Sequence, residues 1–131
     1  MPRPASTRPT ELELEILKTL WESSPSTVRQ VQAALAPRRP LATTSVTTVL
    51  NIMTRKGFLK RAKAGGVYVY SPTVTEIATA NGMIRDLINR LFRGSAASLM
   101  LNLLSEQDLD EKTIREIRTA LNRKRGRTGR E

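Results

Sequence analysis

Residues 43–57 read TTSVTTVLNIMTRKG, and the fold turns on whether this stretch is a helix or a strand. It holds five threonines and two valines. Such β-branched side chains are stiff at χ1 and suit strands better than helices. A strand, however, would alternate apolar and polar residues, and this run alternates poorly. At 100° per residue, Val46, Val49, Leu50 and Met53 fall on one face. Thr44, Thr47, Thr48, Asn51 and Arg55 fall on the opposite one. Gly57, directly after Arg55 and Lys56, is a good helix stop. The spacing predicts a helix from Thr43 or Thr44 to Gly57.

Upstream, Ser26 or Thr27 is placed to cap a helix carrying Val28, Val31 and Leu35, which Pro37 ends. Before it, Thr10 stands three residues ahead of Glu13, the spacing of a reciprocal capping box. Leu14, Leu17 and Trp21 follow at helical spacing, so a first helix runs roughly over 11–23. Downstream, residues 58–62 and 67–71 are short β-prone runs around Lys63-Ala64-Gly65-Gly66, which predicts a hairpin closed by Pro72. The order is then helix, helix, helix, hairpin. This is a mainly α winged helix-turn-helix: the second and third helices form the helix-turn-helix and the hairpin forms the wing. Beyond it three further helices are expected, over about 74–92, 95–104 and from Asp108 or Asp110 to about 122. The expected organisation is a disordered arm (1–9), a winged-helix DNA-binding domain (10–73), a helical dimerisation domain (74–122) and a disordered basic tail (123–131).

The chain of 131 residues has 22 Lys and Arg against 12 Asp and Glu, a net charge of +10. Residues 1–75 carry +7, residues 76–122 carry −1 and residues 123–131 carry +4. A basic first half and a nearly neutral second half imply two jobs, the first of them on an anionic partner. There is no Cys and no His. That removes disulfides, thiolate metal sites, Ser-His-Asp and Cys-His nucleophilic arrangements, and the commonest general base. Glu11, Glu13 and Glu15, like Asp108, Asp110 and Glu111, lie at helix starts, where capping and the helix dipole account for them. No metal, cofactor or enzymatic role is expected. The most apolar run, Ala96 to Leu104, is about half of the ~20 residues a membrane span needs. The first residues have no apolar core of a signal peptide, so a cytoplasmic protein without membrane insertion is expected.

These features point to double-stranded DNA. Small hydroxyls on the third helix allow deep entry into a major groove, Asn suits adenine, and Arg suits guanine or a phosphate. The base-contact candidates are Thr44, Thr47, Thr48, Asn51 and Arg55. The phosphate-contact candidates are Arg38 and Arg39 before the helix, and Lys60, Arg61 and Lys63 on the wing. One of Tyr68 and Tyr70 is expected in the core and the other beside the wing, with Trp21 in the core. Met53, Met83 and Met100 read as packing residues. Ile77, Ile84, Leu87, Ile88 and Leu91 form an apolar stripe that a small winged helix cannot cover, and Ile114 and Ile117 add to it. Such faces are expected to bury themselves in a second copy of the chain.

The stretches TELELEILKTLW, STVRQVQAAL, LATTSVTTVLNIMTRKGFLKR and GGVYVYSPTV resemble the BlaI/MecI/CopY family of penicillinase-type repressors. A weaker likeness continues to about residue 118. The resemblance implies a repressor that binds palindromic operators as a homodimer. It also implies a membrane-bound sensor metalloprotease as a further partner, cutting after an Asn that corresponds to Asn102, ahead of Leu103. The family's copper branch uses a C-terminal cysteine motif, which this chain lacks. Thr44, Ser45 and Ile52 stand where penicillinase repressors often carry Lys, Thr and Arg, so the resemblance does not extend to their usual half-site. The alternatives are a DNA binder without sequence preference and a ligand-gated regulator.

Overall fold

The computed structural model describes residues 8–128. The first helix, α1 (Glu11–Glu22), starts in the expected capping box. Thr10 Oγ1 accepts from the Glu13 backbone N–H at 3.2 Å, and Glu13 Oε1 accepts from the Thr10 backbone N–H at 2.8 Å. After a two-residue strand β1 (Ser26–Thr27), α2 (Val28–Leu35) begins in a second box of the same form, between Thr27 and Gln30. The decisive stretch is a helix, α3 (Thr43–Lys56), which Gly57 ends in the left-handed conformation at φ +90°.

Strands β2 (Leu59–Ala64) and β3 (Val67–Pro72) form the wing. The predicted four-residue turn is shorter than expected, because Ala64 still pairs with Val67. Only Gly65 and Gly66 make the turn, at φ +60° and +83°. Two consecutive positive φ values are what a tight type I′ hairpin requires, and glycine adopts them without strain. Ser26 and Thr27 pair with Tyr70 and Val69, giving an antiparallel sheet of order β1-β3-β2.

The core joins Ile16, Leu17 and Leu20 of α1, Val31 and Leu35 of α2, and Val46, Leu50 and Met53 of α3 with Phe58, Leu59 and Tyr70. Trp21 is half-buried against it and donates its indole N–H to the Val74 carbonyl at 2.9 Å. The order of helices and wing strands is that of a winged helix.

The second half holds α4 (Glu76–Leu91), α5 (Ala96–Glu106) and α6 (Glu111–Thr128). The chain divides into two compact units, Met1–Asp86 and Leu87–Glu131, so the division falls inside α4 rather than at the expected boundary after residue 73. No residue from 71 to 127 is buried. The expected disordered tail is corrected over 123–128, which continue α6. Arg and Lys are good helix formers, and Arg125 and Arg127 in the last turn oppose the negative helix end. Gly126 costs about 1 kcal/mol relative to Ala, too little to end the helix. Residues 129–131 lie outside the described residues, as do residues 1–7 of the expected arm. The end of that arm is held: Pro9 is buried, and Arg8 pairs with Asp86 at 2.5 Å.

Candidate nucleic-acid interface

The apolar face of α3 is fully buried at Val46, Leu50 and Met53, which turns its opposite face outward. Gln32 sets where the helix begins. Its amide donates to the Leu41 carbonyl, and its Oε1 accepts from the Thr43 hydroxyl, both at 2.9 Å. This side chain fixes the turn between α2 and α3, and no pattern in the sequence announces it. At the other end Lys56 binds Glu13 of α1. Helix α3 is thus pinned at both termini.

Thr44, Thr48 and Arg55 are exposed and Thr47 is half-buried. The Thr47 and Thr48 hydroxyls each donate to the carbonyl four residues back, at 2.9 Å. With that proton committed, each hydroxyl offers an acceptor and a methyl group outward. These suit the amino groups of adenine or cytosine and the methyl of thymine. Asn51 departs from expectation. It is half-buried, and its Oδ1 accepts from the Tyr70 hydroxyl at 3.0 Å and from Arg61 Nη1 at 3.2 Å. Pairing with adenine takes both ends of the amide, and one end is already occupied here.

The wing separates its cations. Arg61 pairs across the ladder with Tyr70, and Lys63 with Tyr68. Side chains alternate along a strand, so Arg61 and Lys63 share one face while Lys60 lies on the other. The three predicted phosphate contacts are therefore not one cluster. Tyr70 is buried and Tyr68 is 40% exposed, as the division between core and wing required. The Arg61 guanidinium lies 4.2 Å from the Tyr68 ring centroid and the Lys63 ammonium 5.5 Å from it.

The loop before α3 also departs from expectation. Arg39 is engaged with Glu15 of α1 at 3.0 and 3.3 Å, so its charge is already opposed within the protein. Arg38 is exposed. From Ser23 to Thr75 there is no acidic residue. The carboxylates of this half sit on α1, where Glu13 and Glu15 face Lys56 and Arg39. The outer side of α3 and the wing is left uniformly basic or neutral.

In the second half, Ile77, Ile84, Leu87 and Leu91 are exposed and Ile88, Ile114 and Ile117 are half-buried. Met100 is 56% exposed rather than packed. It lines an apolar groove of about 580 Å³ with Leu101, Leu104, Leu109, Ile117 and Leu121. Asn102 and Leu103 are exposed inside α5. Among the described residues, no group of three His, Cys, Asp or Glu side chains is placed to hold a metal ion, and no helix is long and apolar enough to cross a membrane.

The family model described as penicillinase repressor matches residues 9–123. The chain is 28% identical over 107 residues to the penicillinase repressor of Bacillus licheniformis, covering 82% of this chain and 84% of that protein. It is 25% identical over 112 residues to the methicillin resistance regulatory protein MecI of Mammaliicoccus sciuri, covering 86% and 91%. The solution structure of the DNA binding domain of the repressor BlaI is similar at 28% identity and a TM-score of 0.48, covering 57% of this chain and 88% of that one. With a match that runs from Pro9, ahead of α1, to Arg123 within α6, the chain belongs to the penicillinase repressor family of DNA-binding transcriptional repressors.

Proposed function

We propose that this protein represses transcription by occupying palindromic promoter DNA as a homodimer. Thr44, Thr47, Thr48 and Arg55 of α3 read base edges in the major groove. Arg38, Arg61 and Lys63 hold phosphates. Two copies place two α3 helices on half-sites about one helical turn apart, which is why the operator is palindromic. The observation that carries the reading is the outward face of α3: exposed, pinned at both ends, and set in a segment without a single carboxylate.

The homodimer is supported by the second half, where apolar side chains of α4 and α5 stand in solvent in one copy. Leu91 is 70% exposed, Ile77 69% and Leu101 67%. Apolar surface on this scale marks an association face. Relief by a membrane-bound sensor metalloprotease, cutting between Asn102 and Leu103, accords with the exposure of both residues. The bond lies inside α5, so cleavage there needs that helix to unwind locally.

The test is selection of duplexes from a random pool by the purified full chain, followed by competition binding. An enriched palindrome, bound at least a thousandfold more tightly than random DNA, is the expected result. Equal binding to selected and random duplexes would leave only a non-specific DNA binder.

A further inference from the structure

Arg61 is unusual among the cations of the wing because an aromatic ring and an amide both hold it. Its guanidinium lies over the Tyr68 ring at 4.2 Å. Its Nη1 donates to Asn51 Oδ1 at 3.2 Å. Tyr70, its cross-strand partner, donates its hydroxyl to the same oxygen at 3.0 Å and is itself 1% exposed in the core. The arrangement runs from the core, through Asn51 on the reading helix, to an exposed arginine on the wing. An arginine has five N–H donors, and among the described residues only one of Arg61's is taken.

We infer that Arg61 is a pre-ordered contact to a DNA phosphate, and that Asn51 and Tyr68 are its positioning residues rather than readers of bases. The inference rests on the DNA-binding reading above. A long flexible side chain that is free in solution loses rotamer freedom when it grips a ligand. Here the grip is prepared on folding, by a ring beneath the guanidinium plane and an amide at its edge. Asn51 lies between Thr48 and Arg55 on the reading face, so the guanidinium is registered against the helix that enters the groove. Among the described residues, Lys60 on the opposite face of the wing has no such support, and Lys63 lies 5.5 Å from the ring. These two act as point charges, whereas Arg61 presents a fixed fork. No carboxylate stands between Ser23 and Thr75 to compete for it.

A double-mutant cycle on the full-length protein and its selected duplex tests this. Asn51→Ala and Tyr68→Leu are each expected to weaken binding roughly two- to tenfold, the cost of ordering one such side chain. In an Arg61→Ala background neither should weaken it further. Arg61 is exposed, so Arg61→Lys leaves the fold intact; it keeps the charge and is still expected to bind several-fold more weakly. Melting curves identify any loss that follows unfolding, and Arg61→Lys then carries the test alone. Losses that multiply across the cycle, an Asn51→Ala loss confined to one operator base pair, or wild-type affinity in Arg61→Lys would each overturn the inference. Those results leave the DNA-binding reading standing. A wild-type chain that binds no duplex overturns both.

Discussion

Lys56, the last residue of α3, places its Nζ 2.9 and 3.1 Å from the two carboxylate oxygens of Glu13 in the first turn of α1. Glu13 is almost fully buried and also accepts the Thr10 backbone N–H. One carboxylate therefore caps α1 and anchors the end of α3. Burial pushes this carboxyl up, but the Thr10 backbone N–H and the Lys56 ammonium outweigh burial and hold it below its usual value.

Removing the cation should be costly. Lys56→Met leaves a buried carboxylate with its capping bond alone. Lys56 retains some solvent exposure, so a loss of about 1–3 kcal/mol is expected, less than for a fully buried pair. Urea unfolding measures it, and a loss below about 0.5 kcal/mol would mean the pair is a surface ornament.

The pH dependence follows with a definite sign. A carboxyl depressed in the folded state contributes stability above its usual value of 4.5 and loses it as pH falls through the depressed one. The wild type should lose stability in that acid window. Glu13→Gln should be less stable near neutrality and show a shallower acid slope. Parallel slopes in melting curves from pH 7 to pH 3 would contradict the assignment.

The wing turn should discriminate by conformation alone. Gly65 has φ +60°, and an added Cβ would meet nothing within 4 Å. Gly65→Asn is therefore expected to be nearly neutral, and Gly65→Val to cost about 1–2 kcal/mol. The difference between their unfolding midpoints is the readout.

On the reading face, Thr48→Ala and Arg55→Ala should each weaken the selected duplex by about 1–3 kcal/mol. Thr48 is exposed and uncharged, so random-DNA binding by Thr48→Ala, which rests on phosphate charge, should be nearly unchanged. Competition titrations at fixed salt check both. Salt must be fixed because log K falls by ~0.9 per phosphate contact for each decade of salt.

The association face should fail without loss of the protomer. Leu91 is 70% exposed in a single copy, so Leu91→Asp should change protomer stability by no more than about 0.5 kcal/mol. It should shift the sedimenting species to the mass of one chain, 14.6 kDa, and weaken operator binding. A wild type already sedimenting at that mass at micromolar concentration would refute the dimer.

Much of the winged half is legible in the residues because its signals are local. Thr10 and Glu13 are three residues apart, the α3 face repeats every three to four, and Gly65-Gly66 sit side by side. The same capping spacing at Thr27 and Gln30 is equally readable. β1 is not, since two residues have no period. The basic end of α6 is misread as a tail because glycine and a run of like charges resemble disorder, while helix propensity and the helix dipole act against it.

The sequence by itself determined which faces are apolar, where the helices of the winged half start and stop, and that this half is basic. Those follow from backbone periods and caps that span only a few neighbours. The tertiary structure alone decided which polar groups are already engaged. Arg39 meets Glu15 across 24 positions, Lys56 meets Glu13 across 43, and Asn51 meets Tyr70 across 19. A cation reads the same in sequence whether it faces solvent or a carboxylate. Only folding brings distant residues within the 3 Å or so over which a hydrogen bond forms.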